Sequence, residues 1–66
     1  MYFVIWFDGV KEREHVWKQR WQAEKFAEEL ADDVKGLFYI DVYENDTLLL
    51  SYGWSGKSKK YLLQKY

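Results

Sequence analysis

The six residues Tyr2 to Phe7 (YFVIWF) are apolar or aromatic without exception, so the strand they form has water-averse side chains on both sides. The pattern is general in this chain of 66 residues, which holds four Trp, six Tyr and four Phe, more rings than one small sheet backed by one helix can hide. An aromatic sheet face left bare by its own helix must meet a partner protein, a second copy of the chain or a stacked ligand.

A chain this short forms one domain, residues 1–66, and folding removes only roughly 60% of its unfolded surface from water. Domains of this size need support beyond a simple core. Disulfides cannot supply it, because there is no Cys, and a lone imidazole, His15, argues against a zinc site. Large side chains or oligomerisation remain. The lack of Cys, of any apolar run near membrane-spanning length and of a leader before the first strand-like run gives the expectation of a cytoplasmic protein. The formal net charge is −1, but the charges are segregated. All the acidic residues lie in 1–46, whereas 47–66 carries Lys57, Lys59, Lys60 and Lys65 and no acid.

Asp8-Gly9 closes the first strand with a strong hairpin signal, a type I′ turn that needs positive φ. The return strand, Val10 to about Trp17, carries Lys11, Glu12, Arg13 and Glu14, which suits an exposed edge. From Arg20 to Val34 the apolar residues Ala23, Phe26, Ala27, Leu30, Ala31 and Val34 recur at helical spacing. The helix start lacks a good capping residue, Gln19 or Lys18 standing there, while Gly36 marks its end. Leu37 to Glu44 alternates Phe38, Ile40 and Val42 against Tyr39, Asp41 and Tyr43, and Thr47 to Gly53 returns after Asn45-Asp46 as a second hairpin. Residues 59–66 form a short helix or a last strand. A cap at Ser58 and a shared side for Tyr61, Leu62 and Tyr66 favour the helix, and the strand would align Tyr61 with Leu63.

The expected fold is therefore α+β: a two-layer sandwich of β-hairpin, helix and β-hairpin, with a four-stranded, mainly antiparallel sheet covered by the helix on one face. With Phe38, Ile40 and Val42 turned to the helix, Tyr39, Asp41 and Tyr43 lie on the open face. Tyr and Trp tolerate a wet surface through their polar atoms, so Phe3, Ile5 and Phe7 are expected inward and Tyr2 and Trp6 outward.

The catalytic signals are weak. Gly56-Lys57-Ser58 copies the end of a phosphate-binding loop, but Ser51 stands where that loop needs Gly. Trp54-Ser55-Gly56 lacks the first Gly of a nucleophile elbow, and no constellation of His and Asp activates Ser55. His15 reads as a solvated strand residue. No cofactor, metal or enzymatic activity is expected. Glu28, Glu29, Asp32 and Asp33 crowd the C-terminal end of the helix, where the macrodipole disfavours negative charge; they serve as a solvated face or a docking patch for a basic partner.

Two functions follow. A non-enzymatic protein-binding module would use Tyr2, Trp6, Tyr39 and Tyr43, with the acidic helix end as a second patch, and would pair as a homodimer through the same face. A single-stranded nucleic-acid binder would use Trp54, Lys57, Lys59, Lys60 and Tyr61, combining charge with stacking. The acidic remainder of the chain opposes the second. In its short, Cys-free, Trp-rich style the chain resembles small accessory proteins of bacterial phages and mobile elements, which implies a regulator or inhibitor that binds a host or phage protein.

Overall fold

A computed structural model describes residues 1–34 and 36–66, and among these it shows five strands and one helix. The order is β1 (Tyr2–Phe7), β2 (Glu12–Trp17), α1 (Arg20–Asp33), β3 (Tyr39–Glu44), β4 (Thr47–Ser55) and β5 (Lys60–Lys65). The strands form a single antiparallel sheet in the order β2-β1-β3-β4-β5. The α+β class and the single helix agree with the sequence. The sheet has five strands rather than four, because residues 60–65 pair with β4 instead of coiling into a helix. The turn makes the difference: Lys59 takes a positive φ of 54° and its N–H donates to the Ser55 carbonyl at 2.7 Å, which folds the chain straight back.

Both β2 and β3 pair with β1 in antiparallel fashion, so they run parallel to each other and α1 is the crossover that joins them above β1. The buried helix residues Ala23, Ala27 and Ala31 lie four apart, and their small size brings the helix axis close to the sheet. Beneath them Val4, Ile40 and Val42 are fully buried, with Leu50 and Leu37 completing the core. Each such branched side chain contributes about 1.5–3 kcal/mol by leaving water.

The helix begins without a strong capping residue, as its sequence indicates. Gln22 Oε1 reaches back to accept the Gln19 N–H at 3.3 Å. At the other end the chain leaves the helix through extended Val34, whose N–H donates to the Leu30 carbonyl at 2.9 Å, and Gly36 follows with a φ of 84°. The Tyr61 hydroxyl of β5 then fastens this end to the sheet. It donates to the Val34 carbonyl at 2.7 Å and accepts the Leu37 N–H at 3.2 Å.

The register overturns the expected facing of β1. Val4 pairs with Val42, and Tyr2, Val4 and Trp6 point toward α1, while Phe3, Ile5 and Phe7 point away. Trp6 meets Phe26 of the helix edge-on at 5.4 Å, and Trp17 and His15 lie 5.4 and 5.3 Å from the same ring. Tyr2 turns toward α1 with its polar atom partnered at the rim: its hydroxyl donates to Glu44 at 2.8 Å, which also pushes its pKa up. Phe38 was expected inward too, but it precedes β3, is 68% exposed and lies beside Phe7 at 5.6 Å, with Leu37 taking the buried position instead.

The first turn is longer than the two-residue form read from Asp8-Gly9. Phe7 pairs with Glu12, leaving Asp8 to Lys11 as the loop. The Asp8 carboxylate accepts the N–H groups of Val10 and Lys11 at 2.8 and 2.9 Å and the Arg13 guanidinium at 2.6 Å, while Gly9 supplies the positive φ of 96°.

Candidate functional site

The face of the sheet opposite α1 has no element packed on it among the described residues, and the strand registers assign its side chains in three rows. At one end Val16, Phe3, Tyr43 and Leu48 lie side by side across β2, β1, β3 and β4. The middle row is Glu14, Ile5, Asp41, Ser51 and Gln64, in which the Ser51 hydroxyl donates to Asp41 at 2.6 Å. At the other end Glu12, Phe7, Tyr39, Gly53 and Leu62 adjoin, joined by exposed Phe38. The result is two aromatic bands separated by a polar stripe.

Phe3, Ile5, Phe7, Tyr39 and Tyr43 are only half-exposed although no element lies over them, and Phe7 has the Phe38 ring beside it at 5.6 Å. The Tyr39 hydroxyl donates to Glu12 at 2.6 Å, and this bond to a carboxylate, aided by burial, pushes its pKa up to about 12. The same hydrogen bond holds the Tyr39 ring in place. The charges on this face are mainly acidic, with Glu12, Glu14 and Asp41 on the strands and Lys60 on β5. A depression of about 570 Å³ opens at the Phe3 end, lined by Phe3, Ile5, Glu14, Tyr43, Asn45 and Asp46.

Of the residues expected to bind protein, Tyr39 and Tyr43 share this face, whereas Tyr2 and Trp6 sit on the helix side and serve the core. Their places are taken by Phe3, Ile5 and Phe7. The acidic helix end is split. Glu28 and Asp32 follow Glu24 in steps of four toward Tyr52, whose phenol is pushed up by burial and then by these three carboxylates. Glu29 and Asp33 lie one residue further round the helix, and Glu28, Glu29, Asp32 and Asp33 are all exposed.

The residues considered for nucleic acid are divided as well. Trp54 and Tyr61 face the helix side and pack edge-on at 5.0 Å, and the Tyr61 hydroxyl is held by the end of the helix. Lys57 and Lys59 stand exposed in the β4–β5 turn, and Lys60 falls on the opposite side of the sheet from the two rings, paired with Ser55. His15 is exposed in edge strand β2, with its ring 4.5 Å from that of Trp17. No group of three metal-ligating side chains occurs among the described residues, and no helix there is long and apolar enough to cross a membrane.

Comparison with protein-family models, curated proteins and solved structures finds no match for this chain.

Proposed function

We propose that the chain is a small, non-enzymatic protein-binding module, a regulator or inhibitor by mode of action, that docks a partner protein on the open sheet face. The observation that carries this reading is the double band of half-exposed rings, Phe3 with Tyr43 and Phe7 with Tyr39, on a face that no other element covers. Aromatic side chains on a hydrogen-bonded sheet are rigid anchors that lose little entropy on binding. The absence of Cys fits a reducing, cytoplasmic setting.

The charge on the face favours a basic partner over a second copy. Two copies face to face would set the carboxylates of Glu12, Glu14 and Asp41 against the same set, with only Lys60 from each to offset them. The same charge repels a phosphate backbone.

The test places a photo-crosslinking amino acid at Val16, on the open face, and in a second protein at Trp21, exposed on the helix. The expected result is a discrete covalent partner from Val16 alone, displaced by added wild-type chain but not by a Tyr39→Ala/Phe7→Ala variant. Equal capture from both positions, or displacement by the variant, refutes the face. Light scattering across concentration completes the test: a stable dimer that Tyr39→Ala/Phe7→Ala dissociates would replace the basic partner by a second copy.

A further inference from the structure

We propose that the depression at the Phe3 end seats an arginine side chain of the docked partner, an inference that rests on the open-face reading above. Phe3 and Tyr43 are directly opposed across β1 and β3 and both line the depression, with Ile5 beside them as an apolar floor. Two acidic residues line the same depression, Glu14 on edge strand β2 and Asp46 in the β3–β4 turn.

The other acidic groups nearby are engaged. Glu12 accepts the Tyr39 hydroxyl, Asp41 accepts Ser51 and Glu44 accepts Tyr2. Asn45 Oδ1 takes the Met1 ammonium at 3.3 Å. Glu14 and Asp46 have no ion pair or side-chain hydrogen bond among the described residues. A flat guanidinium stacks on aromatic faces while its edge donates to two carboxylates, which matches this pairing of rings and acids; an ammonium lacks the plane.

The probe is N-acetyl-arginine methylamide, titrated into the isotope-labelled chain and followed by amide NMR shifts, with the citrulline analogue as an uncharged mimic of similar shape. Saturable shifts centred on Phe3, Ile5, Glu14, Tyr43 and Asp46 are expected for arginine and none for citrulline. Glu14→Gln/Asp46→Asn, two exposed polar changes, should weaken the arginine titration by roughly tenfold or more. Equal shifts with citrulline, or arginine shifts centred on Glu28 and Asp32, overturn the seat. So does concentration-dependent broadening of the depression's amides in the free protein, which would place a second copy there. Against the crosslinked partner the two readings separate. If Tyr39→Ala/Phe7→Ala abolishes capture and Glu14→Gln/Asp46→Asn leaves it intact, the seat fails and the face stands; if neither reduces it, both fail.

Discussion

Replacing Trp6 by Ala tests the face assignment most directly, because the sequence favours an exposed Trp6 and the structure packs it under the helix. A buried Trp removes about 150–250 Å² from water. At roughly 25 cal/mol per Å² this amounts to about 4–6 kcal/mol. Trp6 is half-buried, which lowers the figure to roughly 3 kcal/mol, and the edge-on contact with Phe26 at 5.4 Å adds about 1 kcal/mol. The total lies within the roughly 3–5 kcal/mol typical of Trp→Ala changes in cores. A domain of 66 residues has about 3–10 kcal/mol of stability in all, so the variant should be largely unfolded or close to it. Tyr43→Ala, on the open face, has no helix over it; half of the roughly 150 Å² of its side chain at about 25 cal/mol per Å² gives about 2 kcal/mol, its cross-strand contacts with Phe3 and Leu48 included.

Thermal melts followed by far-UV circular dichroism compare the two, since the loss of one Trp confounds fluorescence. At about 4–8 °C per kcal/mol for a domain of this size, a difference of about 2 kcal/mol separates the two melting temperatures by roughly 8–16 °C. Equal costs, or a larger cost for Tyr43→Ala, would refute the facing of β1. A double-mutant cycle with Phe26→Leu should recover a Trp6 coupling of about 0.5–1.5 kcal/mol.

Tyr61→Phe deletes the hydroxyl that bridges the Val34 carbonyl and the Leu37 N–H, at an expected cost of about 1–2 kcal/mol, with faster hydrogen exchange at the Leu37 amide as the local sign. Glu12→Gln should lower the Tyr39 pKa from about 12 toward the ordinary 10.0, read from its ring carbon shifts during a pH titration. The native pKa is raised, so this bond's stabilisation is complete below pH 10.0 and disappears as pH rises through about 12. Asp8 has the opposite sign. The Lys11 N–H, with the Arg13 guanidinium and the Val10 N–H, holds its carboxyl well below 3.8, so the stabilisation is present above that value and lost as pH falls through the native pKa. Asp8→Asn should therefore lower the melting temperature more at pH 7 than near pH 2, and an equal loss at both would contradict the assignment.

The helix, the Asn45-Asp46 turn and the charged edge strand could be read from the sequence because each depends on local chemistry: period, turn residues and charge. The last strand could not. KYLLQKY supports either period over so few residues, and the turn at Lys59 that decides the matter relies on a positive φ in a residue that rarely adopts one. The facing of β1 was readable by another route. An even number of loop residues preserves parity in a hairpin, so the two-residue turn expected at Asp8-Gly9 and the four-residue turn observed both align odd positions of β2 with even positions of β1. Trp17 is the one large apolar ring in a strand that is mostly charged or polar. Once it is placed inward, Tyr2, Val4 and Trp6 follow, and Phe3, Ile5 and Phe7 are left outside. The polar-atom argument gave the opposite answer because it treated each Tyr and Trp by itself, whereas Glu44 at the rim takes the Tyr2 hydroxyl without turning the ring to water.

The width of the sheet explains why the rings outnumber what the helix can hide. Five strands at about 4.8 Å spacing, with their margins, span roughly 20 Å or more, while a helix with its side chains is about 10 Å across. The crossover from β2 to β3 lays α1 over β1, so β4 and β5 extend beyond its shelter. On the helix side this overhang is filled from within: Tyr61 packs edge-on against Trp54 at 5.0 Å and Tyr52 at 6.4 Å, and its hydroxyl is bound to the helix end. Those rings extend the core and have little freedom to receive a ligand. Among the described residues no element fills the opposite face, where Phe7 has only exposed Phe38 beside it and the Tyr39 hydroxyl is held by Glu12. The binding surface proposed here is therefore the side on which the fold leaves its aromatic surplus without a covering layer.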